Sequence, residues 1–375
     1  MGKGARALAK IIEPIIRTVN RFNPKTYDRK SRIRRIVKCQ ISHDTKNFAV
    51  VVYNESKFLQ KNISALLRAL NQKKYNILLV SNVTPKRNVF EQIKARCSIF
   101  MERANLGRDF GAYKDAILYL KEINPEIDRL IFCNDSVFYI DEKLDDYLDL
   151  IDDEQDIVGM TESYVGNYHL QSYFIYCGKR ALDRPEFWLY WQKYLPLNTR
   201  PWAIKRGELG FSKFMSRAQI ELNATHNVPL LIKNLNKLDS NKWPVLYDSL
   251  SKHVQDSVTG TLKSRFNSYF QDSATLFDRS SLRENYLKAL RREMAVLAAE
   301  GSQVHKAMFV YCLLGLPIIK RDICYRGEYQ FGEALDLYQQ LNIGNEREFK
   351  VILFEKGKES KLKYSKNFLK KLDII

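Results

Sequence analysis

Apolar positions in the first half of the chain alternate between two rhythms. FAVVVY at 48–53 is an unbroken run rich in β-branched residues, as expected of a strand buried on both faces. Leu59, Ile63, Leu66, Leu67 and Leu70 then recur at helical spacing. NILLVSN at 76–82 reads as a second strand, Pro85 as a turn before another helix, and CSIFME at 97–102 as a third strand. A Gly-punctuated loop, NLGRDFGAY from Asn105, opens an amphipathic segment, and RLIF at 129–132 supplies a fourth strand. Strands alternating with helices predict an α/β fold with a mostly parallel central sheet and right-handed crossovers. HLQSYFIY at 169–176 alternates in strand fashion, which puts His169 and Gln171 on one face.

The two ends follow a different pattern. Leu8, Ile11, Ile12, Ile15, Ile16, Val19 and Phe22 make a helical stripe with Arg6, Lys10, Arg17 and Arg21 largely opposite, and Pro14 is expected to kink or interrupt it. Such a basic amphipathic helix either lies in a bilayer interface or packs its stripe on its own domain. Beyond about residue 240, SLRENYLKALRREMAVLAAE and VHKAMFVYCLLG read as helices. The division expected is a basic N-terminal extension at 1–46, an α/β domain at 47–240, a helical C-terminal region at 241–345 and a basic tail at 346–375.

Charge sharpens this division. The chain of 375 residues carries a formal +18, of which residues 1–46 hold +10 and residues 356–375 hold +5. The intervening body is near +3, so the basic character belongs to the ends and points to an anionic surface. A nucleic-acid-binding protein would suit the total but not this confinement, and no nucleic acid is expected as a partner. The six cysteines lack any C-x-x-C pair or metal-type spacing and read as buried, reduced thiols. No signal peptide is visible, and the longest apolar run, at 307–319, is too short to span a bilayer and is broken by Gly315 and Pro317. These features predict a cytoplasmic protein, peripheral on the inner face of the cell membrane.

Polar residues that end a buried strand are natural ligand groups in an open α/β sheet, which draws attention to Asn134, Asp135 and Ser136 after RLIF. No G-x-x-x-x-G-K-[ST] occurs, and G-R-D-F-G is not a dinucleotide fingerprint, so P-loop and NAD enzymes are disfavoured. An activated sugar remains, its diphosphate bridged to a carboxylate by a divalent metal.

The residues carry a family likeness at this point. Tyr53-Asn54-Glu55 looks like the Y-N-E that opens many GT-A glycosyltransferases, and NLGRDFGAY with FCNDSVFY resembles the rhamnan synthesis protein F family. GMTES at 159–163, HLQSYFIY, GELGFS at 207–212 and GLPIIKRDICYRG at 315–327 extend the match over roughly residues 48–330. The resemblance implies a GT-A-like nucleotide-sugar-binding fold. It implies an enzyme that moves a sugar, such as rhamnose or another deoxyhexose, from a nucleoside diphosphate donor to a growing lipid-linked bacterial surface polysaccharide. The acidic D-x-D of metal-dependent GT-A enzymes is incomplete here, since the corresponding strand end reads Asn134-Asp135-Ser136. The cofactor implied is Mg²⁺ or Mn²⁺ on a single carboxylate.

On this reading Asp135 holds the metal or donor sugar, with Asn134 and Ser136 as neutral partners; its bland alternative is an N-cap. Arg108 pairs with the diphosphate and Asp109 with a ribose or sugar hydroxyl, or the two simply pair with each other. Tyr53, Asn54, Glu55, Asn105 and Gly107 complete the donor side, with Gly107 and Gly111 serving backbone geometry. An inverting transfer needs a carboxylate to take the acceptor's proton. Glu208 is the first candidate and Glu162 the second, although glutamates near helix N-termini are common for dipole reasons alone. His169, Gln171 and Tyr173 are expected to touch sugar, and Lys320 and Arg321 an anionic donor or lipid-pyrophosphate acceptor. Trp188, Trp191 and Trp202, with Tyr190 and Tyr194, are either stacking platforms or core. The competing readings are glycosidic hydrolysis by paired carboxylates and a non-catalytic membrane-associated scaffold.

Overall fold

The structure is a computed structural model; it describes residues 3–123, 126–151, 154–237, 243–265, 288–293, 296, 303–324, 328–340 and 346–357. Eleven strands are found: β1 Ile33–Lys38, β2 Asn47–Val52, β3 Asn76–Ser81, β4 Ile99–Arg103, β5 Arg129–Asn134, β6 Val137–Tyr139, β7 Ile157–Ser163, β8 His169–Leu170, β9 Phe174–Cys177, β10 Leu222–His226 and β11 Ile318–Lys320. The main sheet runs β1-β4-β3-β2-β5-β9-β7-β10, with β8 added on β7, while β11 and β6 pair separately.

The four buried strands expected from the apolar runs, β2 to β5, form a parallel block. Outside that block the sheet is mixed, which corrects the expectation of a mostly parallel one. β9 is antiparallel to both β5 and β7, β8 to β7, and β1 to β4. The reason lies in connection length. β7 ends at Ser163 and β9 begins at Phe174, too short an interval for the crossover a parallel pair requires. β1 is a further departure, because the sheet starts at Ile33 and not at residue 48. Its arginines obscure it as a strand, but an edge strand tolerates charge, and Arg35 pairs with Glu102 of β4 at 3.1 Å.

Both faces of the parallel block are covered, and side chains alternate between them. Ala49, Val51, Ile77 and Leu79 face a layer that includes the helix Lys61–Gln72 and the C-terminal helices. Val50, Val52, Leu78 and Val80 face the helix Arg108–Ile123 and the aromatic cluster of Phe110, Trp191, Tyr194 and Phe211. Trp188, Tyr190, Trp191, Tyr194 and Trp202 are all buried in this second layer, so the core reading holds for them. The helix Glu346–Gly357 buries Phe349, Ile352 and Leu353, so the packed body extends past the division placed at 345. Much of the helical reading at 281–300 and all of residues 358–375 lie outside the described residues.

At the N-terminus one helix runs from Lys3 to Arg21 with Pro14 inside it, so Pro14, expected to kink or interrupt the helix, does not interrupt it. Among the described residues no helix is long and apolar enough to cross a membrane. The six cysteines are free thiols, four of them buried.

His226, ending β10, is 5% exposed and stacks on Tyr147. Burial, aided by the charge of Lys143 and opposed by a bond to the Leu314 carbonyl, pushes its pKa down to about 4 from the ordinary 6.5. The folded chain therefore binds this proton less readily than the unfolded one. Its contribution is complete above about pH 6.5 and is lost as the pH falls towards 4, with a slope of up to about 1.4 kcal/mol per pH unit. Thermal melts between pH 7 and pH 5 should show a steeper loss of stability for the wild type than for His226→Gln.

Candidate functional site

The chain leaves β2 outward through β3 and β4, then returns to β2's other side as β5. A crevice at the carboxyl ends of β2 and β5 follows from that reversal, and this is where open α/β sheets bind ligands. The register places Val52 opposite Asn134, so Asn54-Glu55 and Asp135-Ser136 meet at the crevice. The Asn54 N–H donates to Asp135 Oδ2 at 2.9 Å, and the Asp135 N–H donates to the Val52 carbonyl at 3.1 Å. Asp135 Oδ1 makes no hydrogen bond among the described residues. Glu55 accepts from the Lys57 N–H at 2.7 Å, and Ser136 is partly exposed.

Asn134 is a hub. Its backbone N–H donates to the Tyr173 carbonyl at 3.2 Å, its carbonyl accepts from Tyr139 Oη at 2.9 Å, and its Oδ1 accepts from the Ser136 N–H at 2.9 Å. Its Nδ2 donates to Asp109 Oδ2 at 3.1 Å. Fully engaged and 1% exposed, Asn134 positions its neighbours. Tyr53 is also buried, its hydroxyl donating to the Phe58 carbonyl at 2.8 Å and accepting from the Gln60 N–H at 3.0 Å. It therefore shapes the loop after β2.

Two glycines shape the loop that opens the helix Arg108–Ile123, Gly107 by its conformation and Gly111 by close approach. Gly107 has φ 80°, and a Cβ there would sit 2.4 Å from Pro196 Cβ; at Gly111 a Cβ would meet the Leu106 carbonyl oxygen at 2.1 Å. Arg108 is left-handed at φ 56°, an uncommon conformation for a residue with a side chain. No hydrogen bond or ion pair engages its half-buried guanidinium among the described residues. Asn105 is exposed beside it.

A charged network that the sequence reading missed underlies this loop. Asp115, on the inner side of the helix Arg108–Ile123, is fully buried between Arg32 and Arg103. Arg103 Nε donates to Asp115 at 2.8 Å and Nη2 to the Leu106 carbonyl at 2.7 Å, while Nη1 donates to Asn82 Oδ1. The Asn82 N–H in turn donates to Asn54 Oδ1 at 3.2 Å. One chain of bonds thus runs from Asp115 to Asp135. Charged residues placed within the otherwise apolar β4 and its helix were the available signal.

A second carboxylate stands across the turn at 171–173. Glu208 closes a π-helical turn, Ala203–Glu208, that leads into the helix Leu209–Arg217. Such turns are frequent at functional sites. Gly207 lets this turn pack on Phe110, whose ring would lie 2.6 Å from an added Cβ. Glu208 Oε1 accepts from Ser172 Oγ at 2.6 Å, and Oε2 is 3.9 Å from His169 Nε2. His169 Nδ1 is 2.8 Å from the Asn167 carbonyl, which assigns the ring proton there and leaves Nε2 to accept from Gln171 Nε2 at 3.2 Å. His169 and Gln171 do meet, although a turn separates β8 from β9. The Tyr113 hydroxyl donates to the Ser172 carbonyl at 3.0 Å and so links this group to the helix opened by Arg108.

The third contribution comes from β11. Arg321 Nη1 donates to the Asp135 carbonyl at 2.7 Å, with its Nε buried and unpartnered among the described residues. Lys320 Nζ lies 4.7 Å over the Tyr173 ring. Glu162 is differently placed: 4% exposed, its Oε1 accepts from the Val228 N–H at 2.9 Å at the start of the helix Val228–Lys237. That is a capping position.

No group of three or more His, Cys, Asp or Glu suited to a metal occurs among the described residues. What this crevice offers a cation is Asp135 Oδ1. That suits Mg²⁺, which keeps most of its waters and takes substrate phosphate alongside one or two carboxylates.

Residues 77–227 match the rhamnan synthesis protein F family. The matched stretch runs from β3 to the residue after β10 and includes both carboxylates, while the β2 end and β11 lie outside it. The chain is 28% identical over 172 residues to the uncharacterized protein y4gN of Sinorhizobium fredii, covering 44% of this chain and 45% of that protein. It is 36% identical over 108 residues to the virulence protein VirA of Vibrio anguillarum, covering 28% of this chain and 33% of that one. The chain thus spans less than half the length of these relatives. Two solved structures share partial likeness. One is a glycosyltransferase involved in glycosylation of the major capsid of PBCV-1, at 14% identity and TM-score 0.28, covering 42% of this chain and 74% of that one. The other is 4-diphosphocytidyl-2C-methyl-D-erythritol synthase from Anaerococcus prevotii, at 11% identity and TM-score 0.31, covering 48% and 87%.

Removing Asp115 would strand two buried guanidinium groups. Asp115→Ala should lower unfolding free energy by about 3 to 5 kcal/mol. By contrast Asp145→Ala, which breaks an exposed pair with Arg68, should cost under about 1 kcal/mol. Denaturant titration of the two variants checks both.

Proposed function

We propose that the protein is a GT-A-like glycosyltransferase that moves a sugar from a nucleoside diphosphate donor to a lipid-linked surface polysaccharide. The observation that carries this reading is the pairing of two carboxylates about one crevice: Asp135 at the switch point, with Arg321 beside it, and Glu208 across the 171–173 turn. The rhamnan synthesis protein F match supports a deoxyhexose such as rhamnose as the sugar, and a lipid-linked acceptor fits an enzyme that works at the cytoplasmic face of a membrane.

The donor lies along the ends of β2 and β5. Asn54, Glu55 and Asp109 receive hydroxyls of ribose or sugar, Ser136 adds a neutral donor, and Arg108 and Arg321 face the diphosphate. Arg108 suits this because its fork carries no internal partner among the described residues, and a guanidinium pairs with phosphate oxygens two at a time. A divalent cation held by Asp135 and the donor phosphates would supply further neutralisation of the leaving group.

Glu208 acts on the other side. The acceptor hydroxyl gives its proton to Glu208 as its oxygen bonds to the anomeric carbon, and the bond from that carbon to the diphosphate oxygen breaks with its electron pair leaving on the diphosphate. Attack from the face opposite the leaving group inverts the centre. Ser172 fixes one carboxylate oxygen, and His169 with Gln171 borders the other, where acceptor hydroxyls bind. Glu162 is committed to its helix and takes no part.

Calorimetry with a panel of nucleoside diphosphate sugars, with Mg²⁺, Mn²⁺ or chelator, should give metal-dependent binding of one donor that Asp135→Ala abolishes. Glu208→Gln should keep that binding and lose about 10²- to 10⁴-fold in turnover. Absence of binding to every donor would instead favour a non-catalytic scaffold.

A further inference from the structure

A helix on a folded domain ordinarily buries its apolar stripe and turns its charges to water. The helix Lys3–Arg21 instead leaves much of its apolar stripe in water. Leu8, Ile11, Ile15, Val19 and, just after its end, Phe22 lie on one side at helical spacing and are between 39% and 82% exposed. Polar groups tie it to the body, while Ile12 and Ile16 are partly buried. Glu13 accepts from Thr199 Oγ1 at 2.9 Å and pairs with Arg17 at 3.7 Å. Arg17 and Arg21 each lie 5.7 Å over the Trp202 ring, and Arg206 approaches the same ring at 5.5 Å.

We infer that this helix is an interfacial anchor that seats the protein on an anionic lipid bilayer through Leu8, Ile11, Ile15, Val19 and Phe22. Burying a large apolar side chain is worth about 1.5 to 3 kcal/mol, and five of them stand unused in water. The occupant must also accept charge. Residues 1–46 carry a net +10, and Lys10, Lys25, Lys30, Arg34, Arg35 and Lys38 are exposed near the stripe in sequence. A second copy of this chain would bring two such clusters together, whereas anionic headgroups complement them. A bilayer takes both halves of the surface at once, apolar side chains among the acyl chains and cations at the headgroups.

The brace has a consequence for the site, which rests on the transferase reading. Thr199 and Trp202 lie in the short stretch that runs straight into the π-helical turn ending at Glu208. The anchor is thus clamped to the segment that carries the proposed base, so docking sets the Glu208 side of the crevice against the membrane, where a lipid-linked acceptor lies.

The test is co-sedimentation with vesicles of phosphatidylcholine alone and with added phosphatidylglycerol, without sugar donor or acceptor, so its result is independent of any transferase activity. The wild type should bind the phosphatidylglycerol vesicles, with binding weakened by salt. The triple variant Ile11→Glu, Ile15→Glu, Val19→Glu should bind about tenfold or more weakly while keeping the wild-type circular dichroism and melting point. Equal binding by wild type and variant, or no binding by the wild type, overturns the anchor. Sedimentation velocity without lipid supplies a further check. A wild-type dimer that the variant makes monomeric would assign the stripe to a second copy and overturn the proposal, and a monomer in both upholds it.

Discussion

Asp115 between Arg32 and Arg103 is the interaction on which the crevice rests. Two guanidinium groups and one carboxylate without solvent are costly to bury, and their mutual attraction compensates only because the remaining donors are used. They are used on the backbone that matters. Arg103 holds the Leu106 carbonyl, which fixes the loop containing Arg108, and reaches through Asn82 to Asn54 and so to Asp135. Arg32 spends Nη1 on the carbonyls of Lys25 and Thr26, so the same carboxylate ties the turn after the N-terminal helix to the sheet. Loop, strand ends and N-terminal segment are therefore set by one buried charge cluster.

The crevice has two sides because one strand runs against the others. β9 enters between β5 and β7 antiparallel, and the turn before it, residues 171–173, crosses the mouth of the crevice. Ser172 and Tyr173 on that turn face opposite ways. Ser172 reaches Glu208, and the Tyr173 carbonyl receives the Asn134 N–H. The distance between the two carboxylate groups is thus governed by a turn with a buried phenol on each flank, Tyr113 and Tyr139. Burial raises both phenols well above their ordinary range, so they remain neutral donors across the working range of pH.

Much of this was legible from residue order. The parallel block was readable because strands buried on both faces leave long apolar runs, and Asp135 stood out because such a run ended in polar residues. β1 was not readable, since Arg34 and Arg35 break its pattern and only its pairing with β4 makes it a strand. The direction of β9 depended on the length of the connection before it, a constraint that periodicity does not register. Glu208 and Glu162 looked alike in sequence, each an acidic residue in a short conspicuous motif. Tertiary contacts separate them, Ser172 Oγ for one and a helix N-terminus for the other. The Asp115 cluster joins residues 83 and 12 positions away, and no local pattern announces it.

The short pairing of β11 with β6 brings Arg321 to the Asp135 carbonyl across 186 residues of chain. Asn54, Glu55, Arg108, Asp109 and Asn134 are already present once β5 has formed, and Asp135 and Ser136 follow at once. A growing chain can therefore fold its parallel block and display Asp135 while the crevice still lacks this guanidinium. The Arg321 side of the crevice is completed only after residue 321 has left the ribosome, which makes the closing of the crevice one of the late events in the protein's synthesis.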